Sequence, residues 1–175
     1  VQINAIKLIH CSTPQPEPPK PLKEYPSKLE YCKALYPAEV KYVENDPATT
    51  SLLLRIVYKL SGNTIMLFDH LDHLDRLYTE FKSRYPDHEC YLINGSTPVD
   101  ERIEIVRILE ESDHDVVVMV MAKCFGTGIN VKDIRNLFIA NGYSKATVKV
   151  IQGIGRGLRK LADKTSLRLL DIHHS

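Results

Sequence analysis

The sequence predicts an α/β fold with a doubly wound, mostly parallel β-sheet and helices on both faces. From Asp46 onward, strand-like and helix-like segments alternate repeatedly and are joined by short connectors, which is typical of such sheets. The run Asp115–Met121 (DVVVMVM) is almost entirely apolar, as expected for a strand covered on both faces. Hydrophobic residues make up 43% and charged residues 26% of the chain, the composition of an ordinary globular domain.

Caps, breakers and periodicity predict the individual elements. Asp46 and Pro47 are typical of a helix start, apolar residues then recur at helical spacing, and Gly62 stops the helix. Similar patterns predict three further helices, over 71–81, after Thr97 and Pro98, and after Thr147. Strands are predicted at 1–9, 64–69, 89–93, 115–121, 136–140 and 167–172. Ligands are expected beyond the carboxyl ends of these strands, as in other doubly wound sheets.

The first sixty residues are less regular. Five prolines between Pro14 and Pro21 exclude both helix and sheet ladder, so this segment is a stiff connector. It is either a plain insertion loop or a P-x-x-P ligand for a partner domain. A short helix is expected over Ser27–Leu35 and a short strand over Glu39–Val43. We therefore divide one domain into residues 1–62, holding a strand, the proline-rich insertion and a first helix, and a core of residues 63–175.

Charge and cysteine content exclude several classes. The net charge is +1, so any site for a polyanion must be local. The four cysteines are far apart without a C-x-x-C pair, which favours reduced thiols in the cytoplasm. His70 and His73 lack a second pair at zinc spacing, so no metal site is expected. No apolar run reaches the roughly 20 residues of a membrane span, and a chain that begins on Val1 is expected to be a piece of a longer protein.

A glycine-rich basic segment, VIQGIGRGLRK at 150–160, is the strongest candidate site. On a helix Gln152, Arg156 and Arg159 would share one face, and guanidinium groups bind phosphate oxygens in a fixed fork. Three glycines within five residues indicate that something approaches the backbone closely. The plainer alternative is a solvated basic helix.

The segment after the most buried strand is the second candidate. Gly126 and Gly128 allow a close backbone approach to a phosphate or sugar, while Lys123 and Thr127 add a charge and a hydroxyl. The same pattern also occurs in ordinary turns. The chain has no G-x-x-x-x-G-K-[ST] loop to grip the β- and γ-phosphates, so it carries only half of a nucleotide site.

Together these segments resemble a known family. FGTGINVKDIRNLFIANG and IQGIGRGLRK, in this order and spacing, resemble motifs V and VI of superfamily 2 helicases, and NTIMLFDHLDHLDRL is similar to motif IV. The likeness extends from about Asn63 to Ile172. It implies a RecA-like fold, the second lobe of an ATP-dependent helicase or translocase. Within the family the likeness is greatest to phage helicases that remodel branched DNA, which implies a role in recombination, repair or replication.

The resemblance also implies roles for individual residues. Arg156 and Arg159 would reach the γ-phosphate of ATP, with Arg159 as the arginine finger and Gln152 orienting the water or the arginines. Gly128 and Asn130 would face the ribose, although the family more often has Asp at the latter position. ATP and Mg²⁺ would be held mainly by an N-terminal RecA-like lobe absent from this chain, so the chain alone is expected to be inactive.

On the nucleic-acid side, the resemblance implies contacts to the phosphates of single-stranded or branched DNA, or of RNA. The residues implied are Lys123, Gly126, Thr127, His70 and the turn that contains Gly95 and Thr97. Many relatives have a hydroxyl where this chain has Ala122, so one backbone contact is either missing here or supplied by Lys123. A different hypothesis is a RecA-like binding module without motor activity that recruits a partner through the proline-rich segment.

Overall fold

The computed structural model describes residues 2–9, 20–125, 134–140 and 166–173. Its helices are α1 (Lys28–Asn45), α2 (Pro47–Lys59), α3 (Leu71–Arg84), α4 (Val99–Glu111) and α5 (Ala122–Phe125). Its strands are β1 (Gln2–Ile9), β2 (Thr64–Phe68), β3 (Cys90–Ile93), β4 (Val117–Met121), β5 (Asn136–Ile139) and β6 (Ser166–His173). They form a six-stranded sheet in the order β1-β6-β5-β2-β4-β3, and every pairing is parallel.

Side chains alternate between the two faces of this sheet, and helices cover both. In β2, Ile65 and Leu67 pack with residues of α4 and α5, whereas Met66 and Phe68 pack with residues of α2 and α3. All five residues of β2 are buried, which explains why the four that follow Thr64 are all apolar. The predicted doubly wound α/β fold is confirmed.

The start of α2 follows the predicted capping chemistry. The Asp46 carboxylate accepts a hydrogen bond from the backbone N–H of Thr49 at 2.9 Å, and Pro47 occupies the first turn. Gly62, past the end of the helix, has φ +94°, and an added Cβ would lie 2.5 Å from the Arg135 side chain. Glycine is therefore required at this turn for its conformation and for the close approach.

The prediction for residues 27–43 is partly wrong. The helix that begins at Lys28 does not end at Leu35 but continues past Pro37 to Asn45, and no strand forms over Glu39–Val43. The polar–apolar alternation in that short window imitates a strand, yet Val40 and Val43 also lie on one face of a helix. Val43 is buried, and this packing outweighs the cost of Pro37, which removes one backbone hydrogen bond of the helix and clashes with the preceding turn.

Two buried asparagines tie the elements together at the amino edge of the sheet. Asn63 donates to Leu109 O at 2.6 Å and accepts from the backbone N–H of Val116 at 3.1 Å. Asn136 donates to Gly62 O at 2.8 Å and accepts from Arg168 at 3.1 Å. These buried amides satisfy polar groups at the amino ends of the strands, so hydrogen bonds hold the amino edge of the sheet together. The opposite edge is left for a site.

Two further predictions concern the segments around β4 and β5. The chain after Met121 was expected to form a loop, but it first forms the short helix α5. The predicted helix after Thr147 and residues 14–19 of the proline-rich segment lie outside the described residues. None of the helices that the structure describes is long and apolar enough to cross a membrane.

Candidate functional site

The carboxyl ends of the parallel strands share one edge of the sheet. Asp69 and His70 follow β2, the turn Asn94–Thr97 follows β3, and α5 with Lys123 follows β4. Because β2 pairs with β4 and β4 with β3, these three segments are neighbours along the edge. The structure thus places four of the predicted nucleic-acid residues, His70, Gly95, Thr97 and Lys123, along this edge.

His70 lies at the start of α3 and is paired with a carboxylate. Its Nδ1 lies 2.6 Å from Oε1 of Glu44, while 54% of the His70 side chain is exposed. Glu44 comes from the C-terminal end of α1 and is largely buried. The predicted contact residue is therefore exposed at the edge, but one of its ring nitrogens already has an internal partner.

His73, one turn further along α3, approaches the same carboxylate from the interior. Its Nδ1 lies 3.6 Å from Glu44 Oε1, and its ring packs edge-on against Phe68 with centroids 5.2 Å apart. Burial alone would raise the pKa of the Glu44 carboxyl, but interactions with His73 and His70 outweigh burial and hold that pKa below its usual value. Glu44 is therefore an ionised carboxylate held between two imidazoles.

Arg76 fixes this carboxylate by holding the end of α1. Its Nη2 donates to the Glu44 carbonyl oxygen and its Nη1 donates to Asn45 Oδ1 at 2.7 Å. The last carbonyls of a helix have no partner within it, so a guanidinium group is a favourable C-terminal cap. His70, His73 and Arg76 recur every three residues, and all of them turn toward α1.

A cavity of about 820 Å³ opens between α1 and α3 at the same edge. This volume lies in the range of small-molecule sites. Its wall combines apolar side chains with the charged cluster and includes Tyr36, Val40, Glu44, His70, His73 and Met121. The Nδ1 atom of His73 and the Nε atom of Arg76 are buried in this wall without a hydrogen-bond partner.

The β3–α4 turn is held by side chains rather than by tight packing of its glycine. Thr97 Oγ1 accepts from the Asn94 backbone N–H at 3.0 Å, so the threonine hydroxyl closes the turn. Arg102 donates to Thr97 O at 2.9 Å and to Asn94 O at 3.0 Å from the next helix. Gly95 is exposed with nothing within 4 Å of an added Cβ, which leaves its backbone open to a partner.

Lys123 is exposed on α5 immediately beyond β4, whereas its neighbours Cys124 and Phe125 are buried in the core. The helical turn thus anchors two residues inward and presents the lysine outward. The other predicted site residues, Gly126, Thr127, Gly128, Asn130, Gln152, Arg156 and Arg159, lie outside the described residues.

Sequence reasoning missed Glu44, His73, Arg76 and Arg102. The recurrence of His70, His73 and Arg76 at intervals of three is visible in the sequence and could have indicated one polar face of α3. Glu44 gave no such signal, because it was assigned to the region after a supposed strand. Within the described part of the chain, no group of three or more His, Cys, Asp or Glu residues has a geometry that could hold a metal ion.

Comparison with known proteins identifies the fold and the family. Residues 48–160 match the helicase conserved C-terminal domain. This chain belongs to that family. The match begins in α2 and includes the ends of β2, β3 and β4, so the carboxyl edge described above is the edge of a helicase C-terminal domain.

Individual relatives agree with this assignment. The chain is 26% identical over 152 residues, 85% of its length, to the ATP-dependent DNA helicase UvsW of Enterobacteria phage T4. It is similar to the crystal structure of T4 UvsW with a TM-score of 0.69 and 25% identity over 98% of the chain. The chain spans 29% of the length of the first of these and 32% of the second, about a third.

More distant helicase structures share the fold. Domain 2 of the DEAD-box helicase Mss116p, solved bound to an RNA duplex, has a TM-score of 0.54 at 12% identity, covering 76% of this chain and 50% of that one. The C-terminal part of the Fun30 ATPase domain has a TM-score of 0.58 at 20% identity, covering 83% of this chain and 49% of that one. The RecA-like architecture is therefore common to members that differ widely in sequence.

Proposed function

We propose that this chain is the second RecA-like lobe of an ATP-driven motor that moves on nucleic acid. Its membership of the helicase C-terminal family over residues 48–160 carries the proposal. The T4 relative is an ATP-dependent DNA helicase about three times as long, so the motor activity belongs to a larger protein of which this lobe supplies one part.

On the nucleotide side, the lobe would complete a pocket for ATP and Mg²⁺ held mainly by the first lobe. Arg156 and Arg159 are assigned to the γ-phosphate, with Arg159 as the finger, Gln152 as the orienting group and Gly128 and Asn130 at the ribose. An arginine finger stabilises the charge that develops during phosphoryl transfer and contributes about 10³–10⁵ in rate.

On the nucleic-acid side, the carboxyl edge would bind the phosphate backbone of one strand. His70, Lys123, Gly95 and Thr97 lie along this edge, and Gly126 and Thr127 continue the chain beyond α5. Contacts of this kind hold a strand in position without reading its sequence. We favour branched DNA in recombination, repair or replication over RNA as the substrate, because the T4 relative is a DNA helicase. The expected compartment is the cytoplasm of the cell or phage host.

The nucleic-acid edge is tested by removing one exposed lysine. Lys123→Ala should weaken binding to labelled single-stranded and branched DNA and reduce the magnitude of the slope of log K against log salt by about 1. Lys59→Ala is the matched control, because Lys59 is also exposed but ends α2 at the opposite edge of the sheet. Equal losses for the two variants, measured by fluorescence anisotropy, would contradict the assignment of the carboxyl edge.

The division of labour between the lobes is tested by ATP turnover. The purified 175-residue chain should show no ATPase activity, because it has no loop that grips the β- and γ-phosphates. In the protein that includes the ATP-holding lobe, Arg159→Ala should abolish turnover while ATP binding persists. Steady hydrolysis by the chain alone, or an unchanged kcat in the variant, would refute the proposed roles.

A further inference from the structure

The pairing of His70 with Glu44 determines which nitrogen of the ring faces outward. An ionised carboxylate can only accept hydrogen bonds, so Nδ1 of His70 must carry the proton in the 2.6 Å contact with Glu44 Oε1. Since Nδ1 is engaged and about half of the side chain is exposed, Nε2 is the nitrogen left for an external partner. The orientation of the His70 ring is therefore set by Glu44 of α1.

Glu44 is held firmly enough to perform this role. Arg76 binds its carbonyl oxygen, and the preceding residue, Val43, is buried in the core. Two residues after Glu44, Asp46 caps the next helix through Thr49. The backbone that carries the carboxylate therefore lies at a fixed junction between α1 and α2.

We propose that Glu44 is a positioning residue for the phosphate contact made by His70. It directs Nδ1 of the ring toward α1 and Nε2 toward the carboxyl edge, and the phosphate contact requires the doubly protonated ring. Only that form carries an N–H at Nε2 that can donate to a phosphate oxygen while Nδ1 still donates to Glu44. This role rests on the proposed nucleic-acid function. Glu44 would orient the His70 ring for that function.

This arrangement predicts a pH dependence of binding. The strand would bind most tightly when the His70 ring is doubly protonated, so affinity should decrease as the pH rises. The other charged groups around the cavity are of mixed sign, namely Lys41, Asp69, Asp72, His73 and Arg76, together with the phenol of Tyr36. The His70 imidazole is paired with the Glu44 carboxylate, and half of its side chain is at the surface.

The experiment compares Glu44→Gln, His70→Gln and the double variant in the 175-residue chain. Binding of a fluorescein-labelled oligothymidylate is measured by anisotropy from about pH 5.5 to about pH 8 and at several salt concentrations. Glu39→Gln is the matched control, because it removes the same charge from α1 at a residue that does not line the cavity. Circular dichroism confirms that each variant is folded.

Loss of a negative charge beside a polyanion should by itself strengthen binding, so the sign of the effect is decisive. We expect Glu44→Gln to weaken binding about three- to ten-fold, because the amide oxygen can still accept from Nδ1 but without the carboxylate charge that strengthens the bond. His70→Gln should weaken it similarly and remove the pH dependence, and the double variant should be no weaker than His70→Gln. Glu39→Gln should bind as tightly as the wild type or slightly more tightly.

Nitrogen chemical shifts of the His70 ring provide a readout that does not depend on nucleic acid. The wild-type ring should carry its proton on Nδ1 when neutral, and Glu44→Gln should shift the ring toward the Nε2 tautomer. Unchanged shifts, or tighter binding by Glu44→Gln than by Glu39→Gln, would overturn the positioning role. Absence of salt-dependent binding in the wild type would overturn the proposed function itself, whatever the ring shifts show.

Discussion

Substitution of Asn136 by alanine tests whether side-chain hydrogen bonds close the amino edge of the sheet. The residue is completely buried, and its amide donates to the carbonyl oxygen of Gly62 at 2.8 Å and to that of Ser61 at 3.1 Å. Its Oδ1 accepts from Arg168 at 3.1 Å, which connects β5 with β6. Two donated bonds and one accepted bond at a net of about 1 kcal/mol each predict a loss of about 3 kcal/mol in the free energy of unfolding.

Urea unfolding followed by circular dichroism measures this loss, since the chain has no tryptophan for fluorescence. Asn45→Ala is the control, because the exposed Asn45 side chain also both donates and accepts a hydrogen bond. Water can replace the partners of Asn45, so that variant should lose less than about 1 kcal/mol. A loss for Asn136→Ala as small as that of the control would refute the idea that this amide fastens β2, β5 and β6.

Three further predictions concern a cap, a turn and a pH-dependent pair. Asp46→Ala should lower the free energy of unfolding by about 1 kcal/mol in urea titrations, whereas Asp46→Asn, which keeps an accepting oxygen, should lose much less. Arg102→Ala removes the donors that hold the β3–α4 turn, so hydrogen exchange should accelerate at the Ser96 amide while α4 stays helical. Unchanged exchange at Ser96 would contradict the role of Arg102 in holding the turn. Hydrogen bonds with Asp113 and Glu89 raise the pKa of His114, so its stabilising effect is present at low pH and is lost as the pH rises through that raised pKa. His114→Gln should therefore flatten this part of the dependence of Tm on pH, and an unaltered dependence would show that the pair contributes nothing.

Local signals in the sequence were sufficient for most of the fold. Asp46 and Pro47 determine where α2 starts because their effect depends on the backbone within one turn. The buried strands β2 and β4 were recognisable because both of their faces are covered. The error over Glu39–Val43 has the opposite origin, since five residues do not distinguish a period of two from one face of a helix, and the burial of Val43 depends on the folded protein.

The candidate site was only partly accessible in the same way. Residues that follow strands, such as His70 and Lys123, can be placed at the carboxyl edge once the strand order is parallel. Glu44 lies 26 residues before His70 in the sequence, and its contact with that histidine depends on how α1 packs against α3. Arg102 likewise acts backward on a turn that precedes its own helix. Tertiary partners of this kind leave no periodic trace in a single sequence.

The pairing of β1 with β6 has a consequence for how the domain forms. The first strand pairs with the last, with Gln2 opposite Ser166, so this outer ribbon closes a loop that includes nearly the whole chain. Loop closure of that size is entropically costly, so the pairing of β1 depends on β5 and the rest of the sheet to bring β6 into place. During synthesis β1 should therefore remain unpaired until β6 has been made and has joined β5, and β1 should be the last strand to join the sheet and the first to leave it.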